Sequence, residues 1–365
     1  EREHTLKDGE GVKRTYFSFG NLETEYHYKD SLKNGPFLEK NVHERDQVKG
    51  TYKDNEKVGS WTFWFYTGEV QKKMTYENDK LNGPYVQYYD NEQKMVEGAF
   101  KDDKKTGKWI WYTNEGKIDM KGSFYQDLQH GLWTYNYPDG TKYYQGKFDK
   151  GQKDGTWTYW YKNGQKWKEG DYKNDLRDGP WAFWYESGQQ LKTGQFKAGK
   201  EVGEWKNWFE NGQLKNLAQF DDGKLNGPWL SYFPNGVKKL EGEYENNFKT
   251  GTWKEFYPDG KPFKIESYKV MTLKNKVKKG SLKGLKREAS VPHGEGVEFH
   301  EDGSKMSVGK YKNGKEHGEW TYFHPGGRVV ARTVEYKNGK LDGWSRSYSW
   351  GRNSHLKNAI HYKDD

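Results

Sequence analysis

No cysteine occurs anywhere in the 365 residues, so a disulfide framework and a cysteine-bound metal are both excluded, and redox compartment leaves no trace in the chain. Long apolar runs are missing too: none approaches the roughly 18 residues a membrane-spanning helix needs. Aliphatic side chains are scarce, with hydrophobic residues at 32% and a mean hydropathy of −1.29. A chain this polar and charged ordinarily stays disordered. Disordered chains, however, are poor in aromatics, and here 17 Trp, 28 Tyr and 18 Phe make up 17% of the sequence. The chain is therefore expected to fold around a thin aromatic core, rather than into the two or three globular domains its length would suggest.

What is present in abundance is glycine, 44 residues of it, and its placement is periodic. Gly11, Gly35, Gly59, Gly83, Gly107, Gly131, Gly155, Gly179, Gly203, Gly227 and Gly251 stand 24 residues apart without a slip; the frame resumes at Gly294 and Gly318 and ends in a degenerate copy at Gly343. Such a period is the mark of a repeat architecture. Two residues after the anchor stands a large aromatic, as at Trp61, Trp109, Trp133, Trp157, Trp181, Trp205, Trp229, Trp253 and Trp320. Aromatics follow at the fifth and sixth positions, as in Trp160 and Tyr161. At the ninth comes a second glycine, in contexts such as Asn163-Gly164 and Pro138-Asp139-Gly140. Asn-Gly and Asp-Gly between apolar runs are hairpin signals, because the turn needs positive φ. A third glycine recurs on the returning strand, at Gly98, Gly122, Gly146, Gly170, Gly194 and Gly242. Glycine weakens a strand unless something packs closely against it, so a facing Trp ring is expected over the missing side chain. A polar link such as Lys173-Asn174-Asp175-Leu176-Arg177-Asp178 then leads to the next anchor.

The unit Gly155-Thr156-Trp157-Thr158-Tyr159-Trp160-Tyr161-Lys162-Asn163-Gly164 closely resembles the MORN repeat, and its 24-residue form with Trp after the anchor is similar to the bacterial variant class often labelled antitoxin-like. The resemblance implies an elongated, curved β-meander used in scaffolding, membrane association and lipid contact. The expected fold is all-β: an elongated, twisted antiparallel meander or solenoid of tandem hairpins. Residues 1–268 would hold eleven repeats, 269–293 a basic insertion or degenerate repeat, and 294–365 two further repeats and a degenerate C-terminal cap. At two strands per repeat and about 4.8 Å per strand, fourteen units would make a rod on the order of 140 Å long. Each repeat would touch only its neighbours, and the open edges at the two ends would permit end-to-end association.

One segment breaks the frame. Between Tyr268 and Gly294 lie 25 residues where six are expected, and Lys269, Lys274, Lys276, Lys278, Lys279, Lys283, Lys286 and Arg287 occur there without an acid between 269 and 287. Subtracting this +8 from the formal net charge of +9 leaves about +1, which reads as a nearly neutral rod carrying one basic element. Of that run, Lys274, Lys276, Lys278, Lys279, Lys283, Lys286 and Arg287 are the candidate contacts for an anionic head group, an acidic protein or another polyanion. The alternative reading is a solvated loop. Nucleic acid is disfavoured, since only one Arg lies in the run and no base-stacking motif is evident.

The aromatic pairs supply a second candidate surface. Consecutive side chains in a strand point to opposite faces, so one ring of each fifth and sixth pair should face outward, and Trp64, Trp160, Trp184 and Trp208 are the candidates for contact with a protein, a glycan or lipid head groups. His293 and His317 precede successive anchors and His300 and His324 occupy the sixth position. Repeat equivalents stand roughly 10 Å apart, too far to share a metal at about 2 Å, so these histidines are expected to replace half-buried aromatics. No P-loop, GxSxG, HExxH or EF-hand motif is present, and the repeats leave no room for a kinase or methyltransferase domain. The sequence is thus read as non-enzymatic, without cofactor or metal. The leading expectation is a scaffold or adaptor for protein partners in a bacterial cell envelope. Anionic lipid or glycan binding is the alternative, and an antitoxin or immunity role the third. Because the chain begins at Glu1, processing of an upstream leader or lipid anchor is expected, with simple trimming as the alternative.

Overall fold

The computed structural model describes residues 2–274, 286–351, 354–363 and 365, and for residues 2–6, 274 and 286 the backbone alone. Every regular element among them is a β-strand, 29 in all. The chain divides into two compact units, Glu1–Leu176 and Arg177–Asp365. Each is an antiparallel meander in which a strand pairs with its neighbours in sequence, as the hairpin periodicity requires.

The repeat anchored at Gly131 shows how sequence becomes geometry. Leu128–Asn136 runs into Tyr137, where the Tyr137 amide donates to the Thr141 carbonyl and the Gly140 amide donates back to the Tyr137 carbonyl, at 2.8 Å each. Gly140 has a φ of 92°, so Pro138-Asp139-Gly140 is a three-residue loop closed by a left-handed glycine, with the bulge falling between Tyr135 and Asn136. The returning strand Lys142–Asp149 then reverses through Lys150 and Gly151, at φ 48° and 82°, into Gln152–Trp160. Positive φ at both central residues makes this a two-residue type I′ turn.

The polar link expected from the sequence is thus corrected. In Lys173-Asn174-Asp175-Leu176-Arg177-Asp178, Asn174 and Asp175 have φ of 50° and 65° and form the tight turn themselves, while Leu176 to Asp178 already belong to the strand Leu176–Trp184. Asn and Asp tolerate the left-handed region well enough to serve where Gly would be expected. A strand of the regular repeat thus runs between two tight turns of different type.

The expected packing of Trp over glycine is found. Gln145 pairs with Thr158 but Lys147 with Asp154, so the strand carrying the anchor bulges by two residues opposite Gly146. The anchor Gly155, at φ 73°, lets the backbone make that bulge, and Trp157 drops across the facing strand. A Cβ on Gly146 would lie 2.1 Å from Trp157 Cδ2, and Gly50, Gly98, Gly122, Gly194, Gly242 and Gly309 meet their tryptophans in the same way. Trp157 is fully buried, and its indole N–H donates to the Lys147 carbonyl at 3.0 Å. Where the glycine is absent the ring changes with it: Ala218 faces Trp229, which is only half-buried, Met74 faces Tyr85, and Tyr26 faces Phe37.

A single-layer sheet has no second layer to cover its rings. The cover comes from a cation two residues before the anchor. Lys153 Nζ lies 4.5 Å from the Trp157 ring and 5.0 Å from Tyr172, and Lys57, Lys105, Arg177 and Lys249 sit over Trp61, Trp109, Trp181 and Trp253. The alkyl stem covers the ring while the ammonium stays wet. Where that position is Glu201, Lys192 bonds the carboxylate at 2.8 Å and itself lies 4.1 Å from Trp205.

Candidate binding surfaces

Both edges of the meander bind one repeat to the next. On the glycine-turn edge, the sixth-position tyrosine donates its hydroxyl to the fifth-position carbonyl of the following repeat: Tyr89 to Tyr112, Tyr137 to Trp160, Tyr185 to Trp208 and Tyr257 to Phe299, at 2.8 or 2.9 Å. His300 takes the same place, its Nε2 3.4 Å from the Phe323 carbonyl, and His324 stacks on Trp350 at 5.2 Å. These two histidines are half-buried substitutes for aromatic rings, as the sequence suggested. On the other edge a turn carboxylate or amide accepts the backbone N–H of the preceding repeat, as Asp127 does from Lys105 and Asp175 from Lys153, both at 2.8 Å.

The sixth-position ring serves the glycine-turn edge, and the fifth-position ring lies on the side opposite the buried tryptophans without standing clear of the protein. Trp64, Trp160, Trp184 and Trp208 are all half-buried. They lie at the rim of the face opposite the buried tryptophans, with Lys49 Nζ 5.8 Å from the Trp64 ring and Lys142 Nζ 5.5 Å from Trp160.

The insertion begins as a prolongation of one hairpin. Pro262–Lys274 and Lys286–Phe299, of 13 and 14 residues, pair from Lys264 opposite Glu298 out to Lys274 opposite Lys286. Of the candidate cations, Lys276, Lys278, Lys279 and Lys283 lie outside the described residues, Lys274 and Lys286 are placed by backbone alone, and Arg287 is exposed opposite Leu273. At the root of this arm the tryptophan row is interrupted. Gly296 replaces the Trp, Tyr311 occupies its space, and the facing residue is Glu266, which is buried. Glu266 accepts from Tyr268 at 2.7 Å and pairs with Lys264 at 2.6 Å, and Lys264 reaches Glu298 at 3.4 Å. Burial pushes the Tyr268 and Tyr311 hydroxyls up, and the nearby Glu266 carboxylate pushes them further.

The face opposite the tryptophans, termed the open face, carries the first, third, fourteenth and sixteenth residues after each anchor. Its charge is segregated. In the repeats anchored from Gly35 to Gly131 it bears Lys49, Lys73, Lys108, Lys121 and Lys147 against a single acid, Glu97. In those anchored from Gly203 to Gly318 it bears Glu204, Glu241, Glu243, Glu295, Glu319 and Glu335, the last one place later because its hairpin is a residue longer, against Lys206, Lys254 and Lys310. There, Lys206 pairs with Glu204 at 2.7 Å and Lys254 with Glu241 at 3.1 Å. The picture of a nearly neutral body with one basic element therefore gives way to one with a basic patch in the first unit and an acidic one in the second. A groove of ≈ 720 Å³ lies on the lysine-bearing part, lined by Lys73, Val86, Lys94, Glu97, Lys108 and Ile110 among others. Glu97 is held by Lys94 at 2.7 Å and by the Tyr112 hydroxyl at 2.5 Å, and these bonds hold its carboxyl below the usual carboxylate range. Among the described residues no group of His, Cys, Asp and Glu is arranged to hold a metal ion.

The family model described as the MORN repeat variant matches residues 9–30, 57–78, 153–174, 201–222, 225–246 and 249–269, each span running from turn to turn of the hairpin unit just described. These six spans are MORN repeats. No curated protein matches it. Among solved structures, the crystal structure of TcdB2-TccC3-Cdc42 aligns over 97% of this chain and 21% of its own, at 9% identity and a TM-score of 0.17. The Photorhabdus luminescens Tc holotoxin pore aligns over 93% of this chain and 22% of its own, at 10% identity and a TM-score of 0.15. The chain thus spans about a fifth of the length of those solved chains. Two features of these repeats escape a reading of anchors and aromatics, namely the cation over six of the second-position tryptophans and the segregated open face. Both become visible once the copies are aligned on the anchor and read column by column.

Proposed function

We propose that this MORN-repeat protein is a non-catalytic scaffold that binds protein partners across the open face of its sheet, in the setting of a bacterial cell envelope. The observation that carries the reading is the division of labour between surfaces. The tryptophan face is closed by its own cations and rings, and both edges are engaged in repeat-to-repeat hydrogen bonds. The open face is left with solvent-facing charges on a rigid β-surface, and it changes character along the chain, as a surface for distinct partners should. Affinity capture from native envelope extract tests it. Stoichiometric protein partners that survive detergent washing are expected, and recovery of none would sink the scaffold reading.

A second reading attaches to the arm. Met271, Leu273, Ala289 and Val291 share one side of the paired strands with Lys269 and Arg287, an apolar and basic combination suited to an anionic bilayer. Flotation with vesicles containing phosphatidylserine should then carry the protein upward, and should fail when Lys269, Lys274, Lys286 and Arg287 are all changed to Glu. Equal flotation of both proteins would exclude the arm as a membrane contact.

A further inference from the structure

The lysine-bearing half of the open face has features that identify a kind of partner. Following the cross-strand pairs, one row reads Lys73, Val86, Glu97, Ile110, Lys121. Lys73 and Lys121 are exposed, and neither has an ion pair within 4 Å among the described residues. Glu97 at the centre is ion-paired with Lys94 and accepts from the Tyr112 hydroxyl, so the row presents unpaired cations at its two ends and apolar side chains between. Beside it the groove floor is made of small residues, Ser60, Thr75, Pro84 and Ala99, which lets another backbone approach closely. Four strand steps of about 4.8 Å separate Lys73 from Lys121, roughly 19 Å, which is the reach of about six residues of extended chain.

We propose that this part of the open face docks an extended acidic segment of a partner protein, with carboxylates at Lys73, Lys108 and Lys121 and apolar side chains against Val86 and Ile110. The proposal rests on the scaffold reading and specifies the chemistry of one partner. The two apolar residues decide for a polypeptide over a nucleic acid or a lipid head group, which would use the cations and leave Val86 and Ile110 without a complement. The acidic open face of the second unit would repel the same segment, so docking is confined to the first.

The test uses the full chain and a short fluorescein-labelled peptide of alternating glutamate and valine, read by fluorescence anisotropy. Wild type should bind it, the combined K73E, K108E and K121E variant should bind it about tenfold more weakly or worse, and K206E with K254E on the second unit should leave it unchanged. Binding should weaken with added salt and also when Ile110 is replaced by Ser. All three lysines are exposed, and unchanged tryptophan fluorescence verifies the fold of each variant. Equal loss in both charge variants would overturn the proposal. So would lysine-dependent binding of single-stranded DNA or phosphatidylserine vesicles at least as tight as that of the peptide, or no effect of Ile110→Ser. The two readings fail separately. If wild type and the triple variant capture the same partner proteins from extract, the docking face is wrong and the scaffold stands. If neither captures a protein while the peptide binds in a lysine-dependent way, the scaffold is wrong and the docking chemistry stands.

Discussion

Beside the buried tryptophans runs a second row, formed by the fourth and thirteenth residues after each anchor, and two stretches of it, one in each unit, are built from different material. In the first unit it passes through Trp111, Met120, Tyr135, Tyr144 and Tyr159 in successive cross-strand pairs, with Trp111 5.8 Å from Trp133 and Tyr135 4.3 Å from Tyr144. In the second it passes through Asn207, Asn216 and Ser231, and further on through Glu255, Lys264, Glu298 and Ser307. The turns and the bulge opposite the glycine are alike in both. The tryptophan seated on glycine is therefore sufficient to specify the repeat, while the second row adjusts how much apolar surface each repeat buries. Because each repeat packs only on its neighbours, the difference should appear as locally unequal stability.

The sharpest way to break this comparison is to remove a tryptophan from each unit. Trp157→Ala deletes a fully buried ring and should cost ~3–5 kcal/mol in chemical denaturation, with hydrogen exchange rising first in the repeats either side. Trp229→Ala removes a half-buried ring over Ala218 and should cost about half as much. Equal losses would mean that the glycine seat is not what makes the ring matter. Next in size is Glu266→Ala, which strips the buried partner from Lys264 and Tyr268. A loss of ~1–3 kcal/mol is expected, again by denaturation, and a neutral outcome would mark the cluster as incidental to the root of the arm.

How much of this was legible in the sequence depended on whether a feature recurs. Gly146 with Trp157, and Asp139-Gly140 after Tyr137, repeat often enough that the hairpin, its facing ring and the all-β meander follow from spacing alone. The Asn174-Asp175 turn looked like a linker because type I′ geometry is usually signalled by glycine, and here two left-handed non-glycine residues supply it. The cover that Lys153 gives Trp157 was hidden because the same column holds Gln129, Glu201 and Leu225 in other copies. The candidate surface was read from local density, which drew attention to the run of lysines in the insertion. The open-face lysines are far apart in sequence, and only strand pairing gathers them.

A smaller effect separates two sixth-position rings on the glycine-turn edge. Tyr137→Phe removes a hydroxyl bonded to the Trp160 carbonyl at 2.9 Å and should cost ~1 kcal/mol, whereas His300→Phe loses a contact of 3.4 Å and should cost less. Thermal melts of the two variants measure the difference, and a larger loss for His300 would contradict the equivalence of the sixth-position rings.

The smallest effect near neutrality is that of pH. Burial, and then the Glu97 hydrogen bond, push the Tyr112 hydroxyl up to about 12, and burial beside neighbouring tyrosines does the same for Tyr144. A raised folded-state value means that the stabilisation is fully present below the unfolded value of about 10 and is lost as pH rises towards 12. Spectrophotometric titration should show a late phase of tyrosine ionisation coincident with loss of the fold. A single phase near 10 with the fold intact would contradict the burial of these hydroxyls.

The central claim is that partners bind the open face and leave the tryptophan face closed, and photo-crosslinking in cells tests it most directly. Benzoylphenylalanine placed at Ser123 on the open face should yield discrete crosslinks to a partner protein. The same group at Lys168, on the tryptophan face within 4.4 Å of the Tyr159 ring, should yield none. Crosslinks from Lys168 with none from Ser123 would place recognition on the wrong side of the sheet and contradict the account.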